Sequence, residues 1–163
     1  MPAQKVQQTP QDKALVTFIR ATNFGGAIDF GLWDGENVVG VIDPKTYIQY
    51  ETTPGEHIFM AHAENWSVVK ATLEAGKHYY VLANVSMGVW KARVILRPIK
   101  TNDHEYSQKN MDEWNTNLKP TTPDPMKIEE YRTPRLEDVR AALANVNSGK
   151  AEFSVLEVGD VYN

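Results

Sequence analysis

The sequence predicts a mainly β fold, an antiparallel sandwich over residues 13–100, followed by a C-terminal extension that carries a helix. Three observations lead there. Between Ala14 and Ile99 eight short runs rich in β-branched and aromatic residues follow one another, the composition that suits a pleated, half-buried surface. Gly, Pro, Asn and Asp separate the runs, and no segment of helical period interrupts them, so the crossover units of a parallel sheet have no place. Several runs alternate apolar and polar residues, which turns one face to a core and the other to water.

In chain order, Met1 to Asp12 is a polar, Gln-rich leader with no signal-peptide core. Strands are expected at Ala14 to Ala21, Ala27 to Trp33, Val38 to Ile42, Thr46 to Thr52, His57 to Ala63, Ser67 to Leu73, Tyr79 to Val85 and Lys91 to Ile99. Asp34-Gly35-Glu36-Asn37, Pro54-Gly55 and Ala75-Gly76-Lys77 supply positive-φ or fixed-φ positions, and each is read as a hairpin. In the last run Ala92, Val94 and Leu96 share one face, while Lys91, Arg93 and Arg97 share the other with Ile95. Val69, Ala71 and Leu73 alternate in the same way with Val68, Lys70 and Thr72. The runs Val38 to Ile42 and Tyr79 to Val85 are apolar on both faces and read as central. Burial is expected for Val81, Ala83 and Val94, and exposure for Arg93 and Arg97.

Beyond Lys100 the character changes. Residues 101–118 are polar, and a helix starting near Asn102 or Asp103 would place Tyr106, Met111, Trp114 and Leu118 on a thin apolar stripe. Pro120, Pro123, Pro125 and Pro134 then favour an extended linker or surface loop. Thr133-Pro134 reads as an N-cap with Pro at the first helical position, and Leu136, Val139, Leu143 and Val146 recur at helical spacing until Gly149, giving a helix over about 134–147. Ala151 to Val158 has strand-like content suited to a sheet edge.

Composition bounds the function classes. A chain of 163 residues, 42% hydrophobic and 23% charged, suits one soluble domain. The net charge of −4, with nine basic and eight acidic residues over Lys13 to Lys100, argues against nucleic-acid binding. With no Cys, disulfides and thiolate chemistry are excluded. No run approaches the roughly 20 apolar residues of a membrane helix. The polar leader fits either an intracellular chain or one from which an export signal has been removed, so the expected location is periplasmic or outer-envelope in the second case and cytoplasmic in the first.

Several residues together resemble a bacterial family of uncharacterised domains found in small envelope proteins and lipoproteins: Arg20, Asp34-Gly35, Gly40, Tyr47, Pro54-Gly55-Glu56-His57 and Ala75-Gly76-Lys77-His78-Tyr79-Tyr80. The resemblance covers about Lys13 to Ile99 and implies a small sandwich module that decorates bacterial surface proteins, of immunoglobulin-like or transthyretin-like kind. It does not extend over the last 60 or so residues, and it brings no activity with it.

The chemistry-bearing residues are therefore weighed singly. His57 and His62 fall on opposite faces of one strand, and His78 and His104 lie far off in sequence, so no metal and no cofactor are expected. No nucleophile elbow, zinc-protease helix or phosphate loop is present. The pairs Asp112-Glu113 and Glu129-Glu130 read as solvated charge, and Arg20 as an ion-pair partner of Asp34 that holds the first hairpin. One of Tyr79 and Tyr80 should enter the core with its hydroxyl on backbone. Trp33, Trp66 and Trp90 lie at or beyond strand ends and are the candidate ligand-binding residues, a patch for a protein or sugar. The expected function is non-enzymatic: binding or structural support in a bacterial envelope, with an envelope protein or glycan as partner, or alternatively a small-molecule or glycan-binding module.

Overall fold

The computed structural model describes residues 9–22, 30–63, 65–87, 92–100 and 108–161. Eight strands occupy the first part: β1 (Ala14–Arg20), β2 (Phe30–Asp34), β3 (Asn37–Ile42), β4 (Thr46–Thr52), β5 (Gly55–His62), β6 (Trp66–Leu73), β7 (His78–Met87) and β8 (Ala92–Pro98). The extension adds α1 (Gln108–Asn117), the two-residue β9 (Lys119–Pro120), α2 (Pro125–Arg132), α3 (Leu136–Asn147) and β10 (Ser154–Leu156).

The strands form two five-stranded sheets, one ordered β8-β7-β1-β4-β9 and the other β10-β6-β5-β2-β3. Their inner faces share one core, to which β1 contributes Val16 and Phe18, β7 Val81 and Ala83, β8 Val94, and the second sheet Leu32, Phe59 and Val69. Phe18 and Phe59 meet edge to face with centroids 5.2 Å apart. Arg93 is exposed as the alternation requires, whereas Arg97 is half-buried.

The sheets are mixed, which corrects the purely antiparallel expectation: β1 runs parallel to β7, β4 to β9, and β10 to β6. The reason lies in the turns. Asp34 to Asn37 does join ladder partners, β2 and β3. Pro54-Gly55 and Ala75-Gly76-Lys77 instead lead from one sheet to the other, so the strands they connect are not neighbours. A tight turn can reverse the chain within a sheet or across the core, and its residues do not distinguish the two. β7 is flanked by β8 and β1, but β3 is an outer strand. Its apolar second side is covered by the Pro-rich segment, where a Cβ on Gly40 would come within 2.8 Å of Pro123.

Both outer faces are covered by the extension. Ile19, Tyr47, Tyr80 and Leu82 of the first sheet lie under Trp114 and Leu118. Trp33, Met60 and Val68 of the second lie under Val139, Ala142 and Val146 of α3. The docking seam thus runs through Ala142, while Leu136 and Leu143, expected in it, are half-buried. The region read as irregular linker contains α2, whose N-cap Asp124 accepts a hydrogen bond from the Met126 N–H at 2.9 Å, with Pro125 in the first turn. Thr133-Pro134, read as a cap, sits in a 3-10 turn between α2 and α3. Tyr106 lies outside the described residues.

One open edge is closed by side chains. The Asn65 amide donates to the Val94 carbonyl and accepts from the Val94 N–H, both at 3.0 Å, and Ser67 Oγ accepts from the Leu96 N–H at 2.9 Å. These bonds occupy outward backbone groups of β8 that would otherwise invite another strand. On the same side of the core β10 brings Leu156 fully inside, fixed by Lys100, which donates to Asp160 at 2.8 Å and to the Val155 carbonyl.

Tyr131 of α2 lies directly over β2. Its hydroxyl accepts the Gly31 N–H at 2.9 Å, and a Cβ on Gly31 would stand 2.3 Å from its ring. Gly31→Ala should therefore cost about 1–3 kcal/mol, the usual range for overpacking. Urea unfolding of Gly31→Ala, Tyr131→Ala and the double variant should show the Gly31 substitution costing less once the ring is gone; equal costs in both backgrounds would mean the ring does not constrain position 31.

Candidate functional site

At one end of the sandwich the β2 to β3 hairpin meets the end of β4 and the start of β5. This brings together Asp34, Tyr50 and His57. His57 Nδ1 stands 2.9 and 3.0 Å from the two Asp34 carboxylate oxygens, and Nε2 stands 2.7 Å from the Thr53 carbonyl. The Tyr50 hydroxyl donates to Asp34 at 2.8 Å. The imidazole lies parallel to the Phe59 ring, 5.7 Å between centroids, and the His57 and Asp34 side chains are each 11% exposed.

Carboxylate and carbonyl are both acceptors, so the site offers a partner to a proton on each imidazole nitrogen and favours the imidazolium. The hydrogen bond to Asp34 raises the His57 pKa, with help from the Thr53 carbonyl and the Asp34 charge and against burial, which lowers it. Burial first, and the Asp34 hydrogen bond second, push the Tyr50 hydroxyl up to about 12. A histidine backed by a carboxylate serves as a general base when its far nitrogen is free to face a substrate. Here that nitrogen is held by the backbone of the β4 to β5 turn. The cluster ties two turns and both sheets together.

Asp34 and His57 also line a pocket of about 530 Å³ between β5, β6 and the end of α3, together with Glu56, Lys70, Thr72 and Asn147. The Lys70 ammonium sits 4.1 Å from the centre of the Phe153 ring, which is 46% exposed. Carboxylate, ammonium, hydroxyl and amide thus line one pocket, and the ammonium also lies over a partly exposed aromatic ring.

Of the three candidate tryptophans, Trp33 does not contribute to an exposed patch. Trp33 is 1% exposed beneath the extension, 6.0 Å from the Tyr131 ring, and presents no surface. Trp66 is half-buried on the same sheet face and stacks on His62 at 4.2 Å. Trp90 lies outside the described residues. The cause is the extension, whose docking onto that face the strand-end positions do not reveal.

The other residues separate as follows. Arg20 is not at Asp34: it sits at the opposite end of the hairpin, buried, donating to the Ile42 carbonyl at 2.9 Å with its guanidinium 5.0 Å from the Phe30 centroid. His62 lies on the outer side of the second sheet, and His78 meets the Thr17 hydroxyl at 2.6 Å on the first. His104 is outside the described residues. Among the described residues no three of His, Cys, Asp and Glu come together as metal ligands. Tyr79 enters the core, and its hydroxyl accepts the Glu74 N–H and donates to the Val158 carbonyl, both at 3.0 Å. Asp112, Glu113, Glu129 and Glu130 are exposed.

Sequence reading missed the cluster of Asp34, Tyr50 and His57, although Asp34-Gly35 and Pro54-Gly55-Glu56-His57 both stood out. The available signal was that both motifs carry a titratable residue at a turn. Comparison with protein-family models, curated proteins and solved structures finds no match to the chain. Among the described residues no helix is long and apolar enough to cross a membrane.

Because the His57 pKa is higher folded than its ordinary 6.5, the cluster's contribution to stability is fully present below that value and is lost as pH rises through the raised one. The difference in unfolding free energy between the protein and its His57→Asn variant, measured from pH 5.5 to 9, should shrink with rising pH. A difference constant across that range would show that the ring is not charged.

Proposed function

We propose that this chain is a non-enzymatic module of a bacterial cell envelope that works by binding, as an accessory to other envelope components. The observation that carries the reading is the closed state of the His57–Asp34 pair: both nitrogens of His57 face acceptors, so the arrangement that would serve base catalysis is engaged in holding the fold. The resemblance of the strand and turn motifs to envelope-protein and lipoprotein domains supplies the location, and two facing sheets support the sandwich part of that likeness. An immunoglobulin-like or transthyretin-like relationship is the finer form of the same proposal.

A second reading, a small-molecule or glycan-binding module, draws on the pocket lined by Glu56, Lys70, Thr72 and Asn147, where hydrogen-bonding groups of several kinds converge, and on the exposed Phe153 ring under the Lys70 ammonium. It uses different residues from the tryptophans first singled out.

The test is made in the native host with the full gene product. Envelope fractionation should recover the protein with the envelope, and a photo-crosslinking residue at Phe153 should give discrete adducts that the same residue at Arg93 does not. Recovery in the cytosol alone, or identical adducts from both positions, would reject the proposal.

A further inference from the structure

The segment from Thr121 to Lys150 is bounded at both ends by strands of the sandwich, β9 before it and β10 after it. Within it α2 has no fully buried residue, and α3 buries two valines and an alanine. Its polar hold on the sandwich includes the Gly31 N–H donating to the Tyr131 hydroxyl and the Thr121 N–H donating to the Tyr47 carbonyl, both at 2.9 Å, and a turn at Glu36, where Arg132 Nε donates to the backbone carbonyl at 2.7 Å and Arg140 pairs with the carboxylate. That ion pair is open to water, with side chains 63% and 42% exposed, and is therefore screened by salt. Beneath the segment lies a face of Trp33, Met60, Val68 and Trp66. The Trp33 indole N–H is buried there with no hydrogen-bond partner, so the cover does not satisfy the surface it hides. Gly149, at φ +76°, closes α3.

We propose that residues 121–150 are a flap that lifts as a unit from the outer face of β2, β5 and β6, and that the exposed face takes an amphipathic helix of a partner protein. The occupant's chemistry follows from the imprint. Its apolar residues recur at i, i+3 and i+7, the spacing of Val139, Ala142 and Val146, and a basic residue one position after the first meets Glu36 as Arg140 does. Charge complementarity at Glu36 sets the register, and the apolar seam covers Trp33 and Met60. The inference rests on the binding reading above and names the site that reading would use.

Hydrogen exchange followed by mass spectrometry on the full chain tests it. Amides of 126–147 should exchange at least tenfold faster than those of β1 and β7, faster again in 1 M NaCl, and about fivefold faster in Glu36→Ala, with β1 and β7 unchanged. Excess synthetic peptide spanning residues 133–150, used as the stand-in helix, should speed exchange of the native α3 at least threefold, while a scrambled peptide should not. If 126–147 exchange only together with β1, or if Glu36→Ala moves both together, there is no flap. If the flap opens but the peptide has no effect, the face does not take a helix. These results are independent of the host fractionation: adducts at Phe153 without flap opening would keep the binding reading and discard this one.

Discussion

β1 is buried along its whole length, from Ala14 to Arg20, on both faces. A strand in that position needs apolar matter above and below it, and the facing sheet supplies only one side. At their centres β2, β5 and β7 share this need, since their outward residues Trp33, Met60 and Tyr80 are buried like their inward neighbours. Sheets apolar on both faces lose stability as an uncovered two-layer sandwich in water, because each large side chain left exposed forfeits about 1.5–3 kcal/mol. The extension answers this need with helices on the two outsides, and glycines at 31 and 40 admit Tyr131 and Pro123 at contact distance. The layers are mutually dependent: the sandwich is incomplete without its cover, and the short helices are marginal without the sandwich.

Within that arrangement the end cluster has a mechanical role. Asp34 belongs to β2 of one sheet, Tyr50 to β4 of the other, and His57 begins β5 just after the turn that passes between them. One carboxylate bonded to both a phenol and the His57 ring links the sheets where the hydrophobic core ends. Asn65 and Ser67 make the corresponding link along the β8 edge. The core is thus closed by polar contacts at places where apolar packing gives out.

The sequence shows its strands plainly because β-branched and aromatic runs broken by turn residues have few other readings, and the alternation of Val94 and Leu96 against Arg93 and Ile95 places the last strand correctly. Pairing is another matter. Pro54-Gly55 looks alike whether it closes a hairpin or carries the chain over the core, so the parallel contact of β1 with β7 is invisible locally. Two cap-and-proline signals, Asp124-Pro125 and Thr133-Pro134, compete in the extension; the first starts a helix and the second bends it, since Thr133 already belongs to the helical path begun at Pro125. The site is illegible for a related reason. Asp34, Tyr50 and His57 meet through tertiary closure, and the burial of Trp33 depends on Tyr131, about a hundred residues downstream.

The last strand carries a further consequence. Leu156 fills the central core and β10 pairs with β6, about 85 positions earlier in the chain. During synthesis, then, the core stays unsealed until residue 156 has emerged, long after β1 to β8 are able to collapse. For that interval the nascent chain displays the margin of β6 and an unoccupied groove where Leu156 belongs. A chain built this way depends on its surroundings while it grows, and the moment of greatest vulnerability to mispairing comes late in its making.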